Sequence, residues 1–508
     1  MSENQTLEAN ARPGPSQGPA DSAPHHDLER QALPEKPKLI AQVTWDGPDD
    51  PANPKNWTYR RKWTVTIVVS AYTFISPIST SIVAPALSVI GGALQIQSAF
   101  LLSLCLSSFI LAYAFGPFLI GPLSEVYGRV LVLQLANLFY LIFNTACGFA
   151  RNTNQMVAFR FLAGLGGSAP FAIGGGILAD CWVAEERGRS IAIYTLAPLL
   201  GPVLGPVMGG FITERTSWRW VFWVISVADA AVQVLGFLFL RETYAPTILA
   251  KKAQKLREAS GDQAWHTKWE TPRRTFSNTL KLALLRPFIL LGTQPIIQII
   301  AMYLAYLYGV VYLVLTTLPT LWTERYHETI GIAGLNYISL GVGYLVGTQS
   351  TARLNDTIYK NPKKRSRKDV GRPEFRLPLL VPGAILVPLG LIWYGWSAQA
   401  HVHWIMPNIG IAIFGVGMKM ATQCMQTYAV DTYTLYAASA GAAGTFLRSL
   451  AGFSFPLFAP YMYARLGYGW GNSLLALIAT LVGLPAPFLL WKYGPWLRAK
   501  SQYAAGGE

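Results

Sequence analysis

Long apolar runs restrict the fold of this 508-residue chain more than any other feature. Stretches of about twenty residues with few charges recur along it, and about that length crosses the hydrocarbon core of a bilayer. Hydrophobic residues make up 52% of the sequence and charged residues 13%, about half the charged share of a typical soluble domain. The chain is therefore predicted to be an all-α membrane protein.

We predict twelve transmembrane helices in two six-helix, pseudo-symmetric bundles. The spans fall at roughly 63–88, 98–119, 131–150, 155–180, 190–212, 220–240, 288–321, 333–353, 376–397, 404–427, 436–460 and 470–492. The seventh stretch is too long for one simple crossing, so an interfacial segment is expected at its start, around 287–295. Duplicated halves of this kind are common in transporters.

A long polar loop between the sixth and seventh spans divides the chain. The predicted domains are a disordered cytosolic tail (1–62), an N-terminal six-helix bundle (63–240), a cytosolic central loop (241–287), a C-terminal six-helix bundle (288–493) and a cytosolic C-terminal tail (494–508). The first tail is predicted to be disordered because it is polar and rich in Pro, Ser and Gln.

The basic residues indicate how the chain is oriented in the membrane. Most of the 41 Lys and Arg residues fall in the tails and in alternate loops. Those in the remaining loops are few: Arg151, Arg215, Arg219, Arg325 and Arg465. Because loops rich in Lys and Arg stay in the cytosol, both termini are predicted to be cytosolic. Orientation also explains the net charge of +15, so no nucleic-acid partner is expected.

Several functional classes find no support in the sequence. The four cysteines lie in or beside apolar runs without paired spacing, so we expect small buried hydrophobes and neither a disulfide framework nor a metal site. No phosphate-binding glycine loop, His/Cys metal spacing or Ser/His/Asp arrangement is visible. We therefore expect no cofactor, no ATP coupling, no bound metal and no enzymatic activity.

Three motifs carry information about mechanism. The sequence GPLSEVYGR follows the second span, where Gly121 and Gly128 would permit a tight turn. Glu125 and Arg129 provide opposite charges there. They form either an ordinary charged loop or a latch that joins the two bundles in one state and opens in the other.

The second motif, RFLAG, lies in the fourth span. Arg160 stands inside an apolar run, where a charge is costly and should face protein or water. It is either an arginine that extends to the outer interface or the partner of a carboxylate that exchanges protons.

The third motif is LLGPVLGPVMGG in the fifth span. Gly201, Gly205 and Gly209 recur every fourth residue, so they form one bare ridge on a helix, with Pro206 and Gly210 beside it. In a bilayer such a ridge lets another helix approach closely. The ridge serves as a packing face, as a bend and seal in a moving transporter, or as both.

Together these motifs resemble the major facilitator superfamily. GPLSEVYGR is similar to its loop motif, although Glu125 stands where Asp is usual and Val130 where a basic residue often stands. Arg160 and Gly164 match its fourth-helix motif. The glycine ridge matches the antiporter motif of drug/proton exporters. The resemblance implies outward transport coupled to protons, by alternating access between two bundles.

Further stretches narrow the resemblance to fungal twelve-span drug:proton antiporters. They are DPANPKNW (50–57), RETYAP (241–246) and the segment 436–470. The stretch 317–341 resembles exporters of mycotoxins and other secondary metabolites. The resemblance begins near residue 50 and extends to the end of the chain.

Asp229 is the candidate carrier of the proton, together with Arg160. It lies midway along the sixth span, more than ~10 Å from either end at ~1.5 Å per residue. Burial there disfavours the charged carboxylate, as a proton carrier requires. A structural role, with hydrogen bonds to a neighbouring helix, is the alternative. Asp180 is expected at the interface.

For the substrate cavity the candidates are polar and aromatic side chains of the second half. They are Gln294, Gln298, Tyr303, Lys419 and Arg448. Lys419 either faces the cavity and favours anionic or phenolic substrates, or extends towards the cytosol. Arg448 is expected to pair with Asp431.

The predicted function is therefore proton-coupled efflux of amphiphilic organic molecules, either a fungal secondary metabolite or toxin or antifungal drugs. Proton-coupled import of a small nutrient or organic acid on the same fold is the alternative. A membrane enzyme or receptor has no supporting constellation. We expect a monomer that contacts membrane lipid, in the plasma membrane or in a vacuolar or vesicle membrane.

Overall fold

A computed structural model describes residues 42–183, 186–261, 265–269, 276–365 and 372–504, and the regular elements of these residues are helical. The first half contains α1 (Tyr59–Ser81), α2 (Leu87–Ala93), α3 (Ala99–Tyr127), α4 (Arg129–Cys147), α5 (Thr153–Gly167), α6 (Ala169–Cys181), α7 (Arg187–Arg215) and α8 (Arg219–Phe239). The linker carries α9 (Ala245–Ser260). The second half contains α10 (Phe276–Thr293), α11 (Pro295–Thr320), α12 (Ile330–Leu335), α13 (Tyr337–Arg365), α14 (Leu380–Gln399), α15 (Ile405–Thr432), α16 (Ala437–Gly483) and α17 (Pro485–Ala499).

Helix length and composition support twelve membrane crossings. Eleven helical stretches of the described chain are long and apolar enough to span a bilayer. The last of them, Ala437–Ala499, has 63 residues, or about 95 Å at ~1.5 Å per residue, three times the hydrocarbon thickness. Gly467 breaks it with a φ of 68°, so this stretch supplies two spans. The predicted class, an all-α membrane protein with twelve spans, is confirmed.

The long seventh stretch consists of two helices, α10 and α11. Gln294 separates them with an extended backbone, φ −109° and ψ 103°. Proline at the start of α11 has no amide hydrogen to donate, which suits the first turn of a helix. α10 packs on α3 and α16, so it lies against both halves.

The two halves meet along α3 and α16 and along α7, which packs against α12 and α13. Phe118 of α3 stacks on Phe288 of α10 at 5.4 Å between ring centroids, and Phe446 of α16 approaches Phe288 at 5.0 Å. Each half has its own apolar core. The four cysteines are buried with free thiols.

The segment just before α1 packs against the linker. Val43 forms an apolar cluster with Leu249 and Ala253 of α9, and the side-chain amide of Asn56 donates to the backbone oxygen of Pro48 at 2.6 Å. The predicted tail disorder thus does not extend over the described residues 42–58, because this segment buries apolar side chains. Residues 1–41 lie outside the described residues. We call the side of the molecule that carries this segment and α9 the termini face.

Candidate functional site

A central cavity lies between the two halves. α1, α3, α6 and α7 line it from the first half and α11, α13, α15 and α16 from the second. Its empty volume, including the part open to solvent, is about 860 Å³. Its polar and aromatic lining residues include Thr80, Tyr113, Ser168, Phe171, Tyr308, Tyr312, Tyr344, Lys419, Thr445, Arg448 and Ser449.

The cavity continues into a vestibule on the termini face. Phe171, Thr445 and Arg448 line both spaces. The vestibule then runs outward past Glu125 at the end of α3 and Arg286 of α10. The described conformation is therefore open towards the termini face.

On the opposite face, the end of α7 closes the cavity by packing against α12. A Cβ atom at Gly210 would lie 2.7 Å from the backbone oxygen of Ile330, and one at Gly334 would lie 2.7 Å from that of Pro206. The carboxylate of Glu214 accepts a hydrogen bond of 2.6 Å from the amide of Gly331. These contacts join the two halves across the opposite face.

The glycine ridge of α7 packs against α1. Cβ atoms at Gly201, Gly205 and Gly209 would lie 2.3 Å from Pro77, 2.2 Å from Ser81 and 2.1 Å from the oxygen of Ile82. Pro206 and Gly210 face α12 instead. The motif residues thus separate into a packing ridge within the first half and a contact with the second half.

The Gly128 turn holds a cluster of charged groups on the termini face. Gly128 has a φ of 103°, which glycine adopts without steric cost. The carboxylate of Glu242 accepts from the amides of Arg129 at 3.0 Å and Val130 at 3.3 Å, at the N-terminus of α4. Arg129 Nε donates to Asp180 at 2.6 Å.

Two details of the loop prediction are corrected. Gly121 lies inside α3 and makes no turn, because the helix continues to Tyr127, and a Cβ atom there would meet nothing within 4 Å. In the described residues no ion pair joins Glu125 to Arg129. The Arg129 side chain is directed instead towards Asp180, and Glu125 is exposed.

Arg160 is fully buried and does not extend to the interface. Its guanidinium donates to the backbone oxygens of Ser79 at 3.1 Å and Cys105 at 3.4 Å, and it lies 4.4 Å from the centroid of the Phe109 ring. Among the described residues it forms no ion pair with a carboxylate. It therefore joins α5 to α1 and α3.

Asp229 is also fully buried, within the first half. Asn137 of α4 donates to its two oxygens at 3.1 and 3.0 Å. Gln233 lies 2.9 Å from the same Asn137 amide and accepts from Tyr72 at 3.0 Å. Asp229 is not among the residues that line the cavity, so it belongs to a hydrogen-bonded network between α1, α4 and α8.

Two of the five cavity candidates line the cavity. Lys419 Nζ lies 4.5 Å above the Tyr344 ring, and the Arg448 guanidinium lies 4.8 Å above the Tyr308 ring. The expected pairing of Arg448 with Asp431 is wrong. Arg376 Nε donates to Asp431 at 3.0 Å.

The other three candidates lie elsewhere. Gln294 sits at the break before α11 and accepts from Ser501 at 2.6 Å, while Gln298 is exposed and donates to the oxygen of Gly292. Tyr303 is buried against Gly483. It precedes Tyr308 by five residues, so at ~100° per residue it faces some 140° away. The face of α11 that carries Tyr308 lines the cavity, and the face that carries Tyr303 does not.

Two helical halves around a central cavity, open on one side and closed on the other, define a membrane transporter rather than an enzyme. The sequence profile of the Major Facilitator Superfamily matches residues 69–456. The chain belongs to this superfamily.

Its relatives agree with that assignment. An efflux pump of Penicillium aethiopicum, vrtL, is 52% identical over 464 residues, which cover 91% of this chain and 92% of that protein. The MFS-type transporter oryF of Aspergillus oryzae is 43% identical over 92% of this chain and 98% of its own.

A solved structure shares the fold. The xylose transporter XylE from E. coli, in an inward-open conformation, matches with a TM-score of 0.63 and 16% identity, over 88% of this chain and 98% of XylE. At this identity the match concerns the fold alone.

Proposed function

We propose that this protein exports amphiphilic organic molecules in exchange for protons. The substrate enters the central cavity from the cytosol or the inner leaflet, and inward proton movement drives its release outside. The expected cargo is a fungal secondary metabolite or toxin, with antifungal drugs as further substrates. The observation that supports this proposal is the central cavity, which is lined by both halves and open towards one face.

Two observations support the outward direction. The relative vrtL is named an efflux pump. The α7 motif with Gly205, Pro206 and Gly210 resembles that of drug/proton exporters, and its Pro206–Gly210 side forms the seal against α12. With both termini in the cytosol, as the Lys and Arg distribution favours, the described conformation is ready to receive cytosolic cargo.

The vestibule suggests how the cytosolic side closes. Glu125 of the first half and Arg286 of the second line the same vestibule. Closure would bring these unlike charges together, while the Arg129–Asp180 pair and Glu242 hold the end of α3 in place. Glu125 would then act as the latch through a partner in the other half, with Arg129 as the residue that anchors the turn.

Asp229 remains the proposed proton carrier. It is a fully buried carboxyl group in the middle of a span. Asn137 donates to its oxygens, and Tyr72 donates to the neighbouring Gln233. Arg160 would assist from the same bundle through the helix contacts that it holds. Because the two residues do not touch the cavity, coupling would pass through movement of α1 and α4.

Proton-coupled import of a nutrient or organic acid is the alternative. The amount of substrate that accumulates in cells distinguishes import from export. Cells that produce an exporter should hold less of a fluorescent amphiphile than control cells, and a protonophore should abolish the difference. Higher accumulation would favour import.

Asp229→Asn keeps the side-chain shape, and it should abolish the pH-driven part of efflux while the protein is still made. Normal pH-driven efflux in that variant would exclude Asp229 as the carrier.

A further inference from the structure

The described lining of the central cavity carries positive charges without negative charges to balance them. Lys419 of α15 and Arg448 of α16 both line it and both are half-buried. None of its described lining residues is Asp or Glu. Among the described residues that line these connected spaces, the one acidic residue is Glu125, in the vestibule.

Neither cation has a carboxylate partner among the described residues. Arg448 reaches the hydroxyl oxygen of Tyr308 at 3.4 Å, and Lys419 lies over the face of Tyr344. The two positive groups line the same cavity, and like charges that share such a space repel each other. An aromatic face holds a cation only weakly, whereas a charge withdrawn from water needs a paired opposite charge.

We propose that the cavity is built for organic anions: flat aromatic molecules that carry one group ionised at neutral pH, a carboxylate or an acidic phenol. The anionic group lies between Lys419 and Arg448 and removes their mutual repulsion. This inference deepens the proposed function and rests on the central cavity being the substrate site.

The rest of the lining suits the aromatic body of such a molecule. Tyr113 and Phe171 of the first half have ring centroids 5.8 Å apart, and Tyr312 of the second half also lines the cavity. Aromatic faces stack on flat ligands at favourable distances of this order. The ligand thus bridges the halves, with its charge on the second half and its rings towards the first.

The same arrangement rejects cations. A positively charged amphiphile would add a third like charge without a carboxylate to receive it, and such a repulsive element is an efficient source of specificity. The exporter is therefore selective for acidic cargo and poor at removing cationic drugs.

Three ligands with one ring system test this inference. Anthracene-9-carboxylate, its neutral methyl ester and the cation 9-(aminomethyl)anthracene are measured by equilibrium dialysis against the purified full-length protein. We expect the carboxylate to bind at least about tenfold more tightly than the ester, which corresponds to ~1.4 kcal/mol, and the cation to bind least.

Charge variants locate the preference. Lys419→Gln and Arg448→Gln should each weaken carboxylate binding about tenfold, as expected for one buried charge pair, and leave ester binding unchanged, which also shows that the protein is folded. Arg448→Lys should keep most of the preference. Lys492→Gln, at an exposed lysine of α17, is the matched control and should change nothing.

Equal binding of all three ligands, tighter binding of the cation, no binding of any, or equal losses for acid and ester in the variants would overturn the inference. Ester and cation binding without a preference for the acid would leave efflux of amphiphiles standing. A failure of efflux itself appears separately, as absence of pH-driven transport.

Discussion

The backbone oxygen of Ile330 lies 2.7 Å from the point that a Cβ atom on Gly210 would occupy. Gly210 belongs to the first half and Ile330 to the second, so this contact is where the halves touch on the side opposite the termini. Real Cβ atoms do not approach backbone oxygens this closely. The absent side chain is what permits the closed seal.

Gly210→Ala should therefore open the cavity to the opposite face. A cysteine that replaces Thr80, which lines the cavity, would report the opening. The four native thiols are buried. We expect labelling by an impermeant thiol reagent from that face to rise about tenfold, as for a shift of ~1.4 kcal/mol between conformations. Gly175→Ala is the control, since a Cβ atom there meets nothing within 4 Å. Equal labelling in both variants would contradict the seal.

The two glycines of the GPLSEVYGR motif should respond differently to alanine. Gly128→Ala places a side chain at φ 103° and ψ 151°, a conformation essentially restricted to glycine that costs ~1–3 kcal/mol, and its Cβ atom would lie 2.4 Å from the Glu242 carboxylate. We expect a lower melting temperature and reduced transport. Gly121→Ala replaces an unobstructed glycine within α3 and should be neutral or slightly stabilising. A loss of stability in Gly121→Ala as large as that in Gly128→Ala would be inconsistent with the described turn.

Arg129 should be coupled to Asp180 and not to Glu125. In a double-mutant cycle of Arg129→Gln and Asp180→Asn we expect a coupling of about 1–3 kcal/mol, because the pair is direct and largely buried. Thermal denaturation in detergent measures it. The cycle of Arg129→Gln with Glu125→Gln is the control and should be additive. The reverse result would restore the Glu125–Arg129 latch for this conformation.

These outcomes show what the sequence could and could not predict. The length of the apolar runs predicts the twelve spans, because only a helix satisfies its backbone hydrogen bonds over that length in a bilayer. The packing ridge of α7 is predictable from the sequence, because glycines spaced four residues apart lie on one face of a helix. Partners such as Asp180 and Glu242 were missed because they come from distant parts of the chain. RETYAP, which contains Glu242, is a sequence signal for that residue. Which face of α11 lines the cavity depends on how the helices pack, so the sequence alone predicts Tyr303 in the lining although Tyr308 is the residue found there.

The segment before α1 should loosen in acid. Amides of Asp46 and Ala52 donate to the Asp50 carboxylate, and these bonds hold the pKa of Asp50 below its usual value. A carboxyl group whose pKa is lower in the folded state adds stability above its unfolded pKa, near ~4, and that stability is lost as pH falls.

Hydrogen exchange of residues 42–57, corrected for intrinsic rates, measures this effect. We expect protection to fall as pH drops below about 4, and Asp50→Asn to reduce protection at pH 7 and to remove the dependence. Asp49→Asn, at an exposed neighbour, should behave like the unchanged protein. Protection in Asp50→Asn that still falls with pH would point to another group.

Transport in sealed vesicles tests the central claim most directly. Purified protein is reconstituted, a pH difference is imposed, and the movement of protons and of an aromatic amphiphile is followed together. Exchange predicts that the two move in opposite directions, that a protonophore stops the movement of the amphiphile because it dissipates the pH difference, and that Asp229→Asn loses the dependence on pH. Movement in the same direction, or no movement of any solute across a broad panel, would contradict the account.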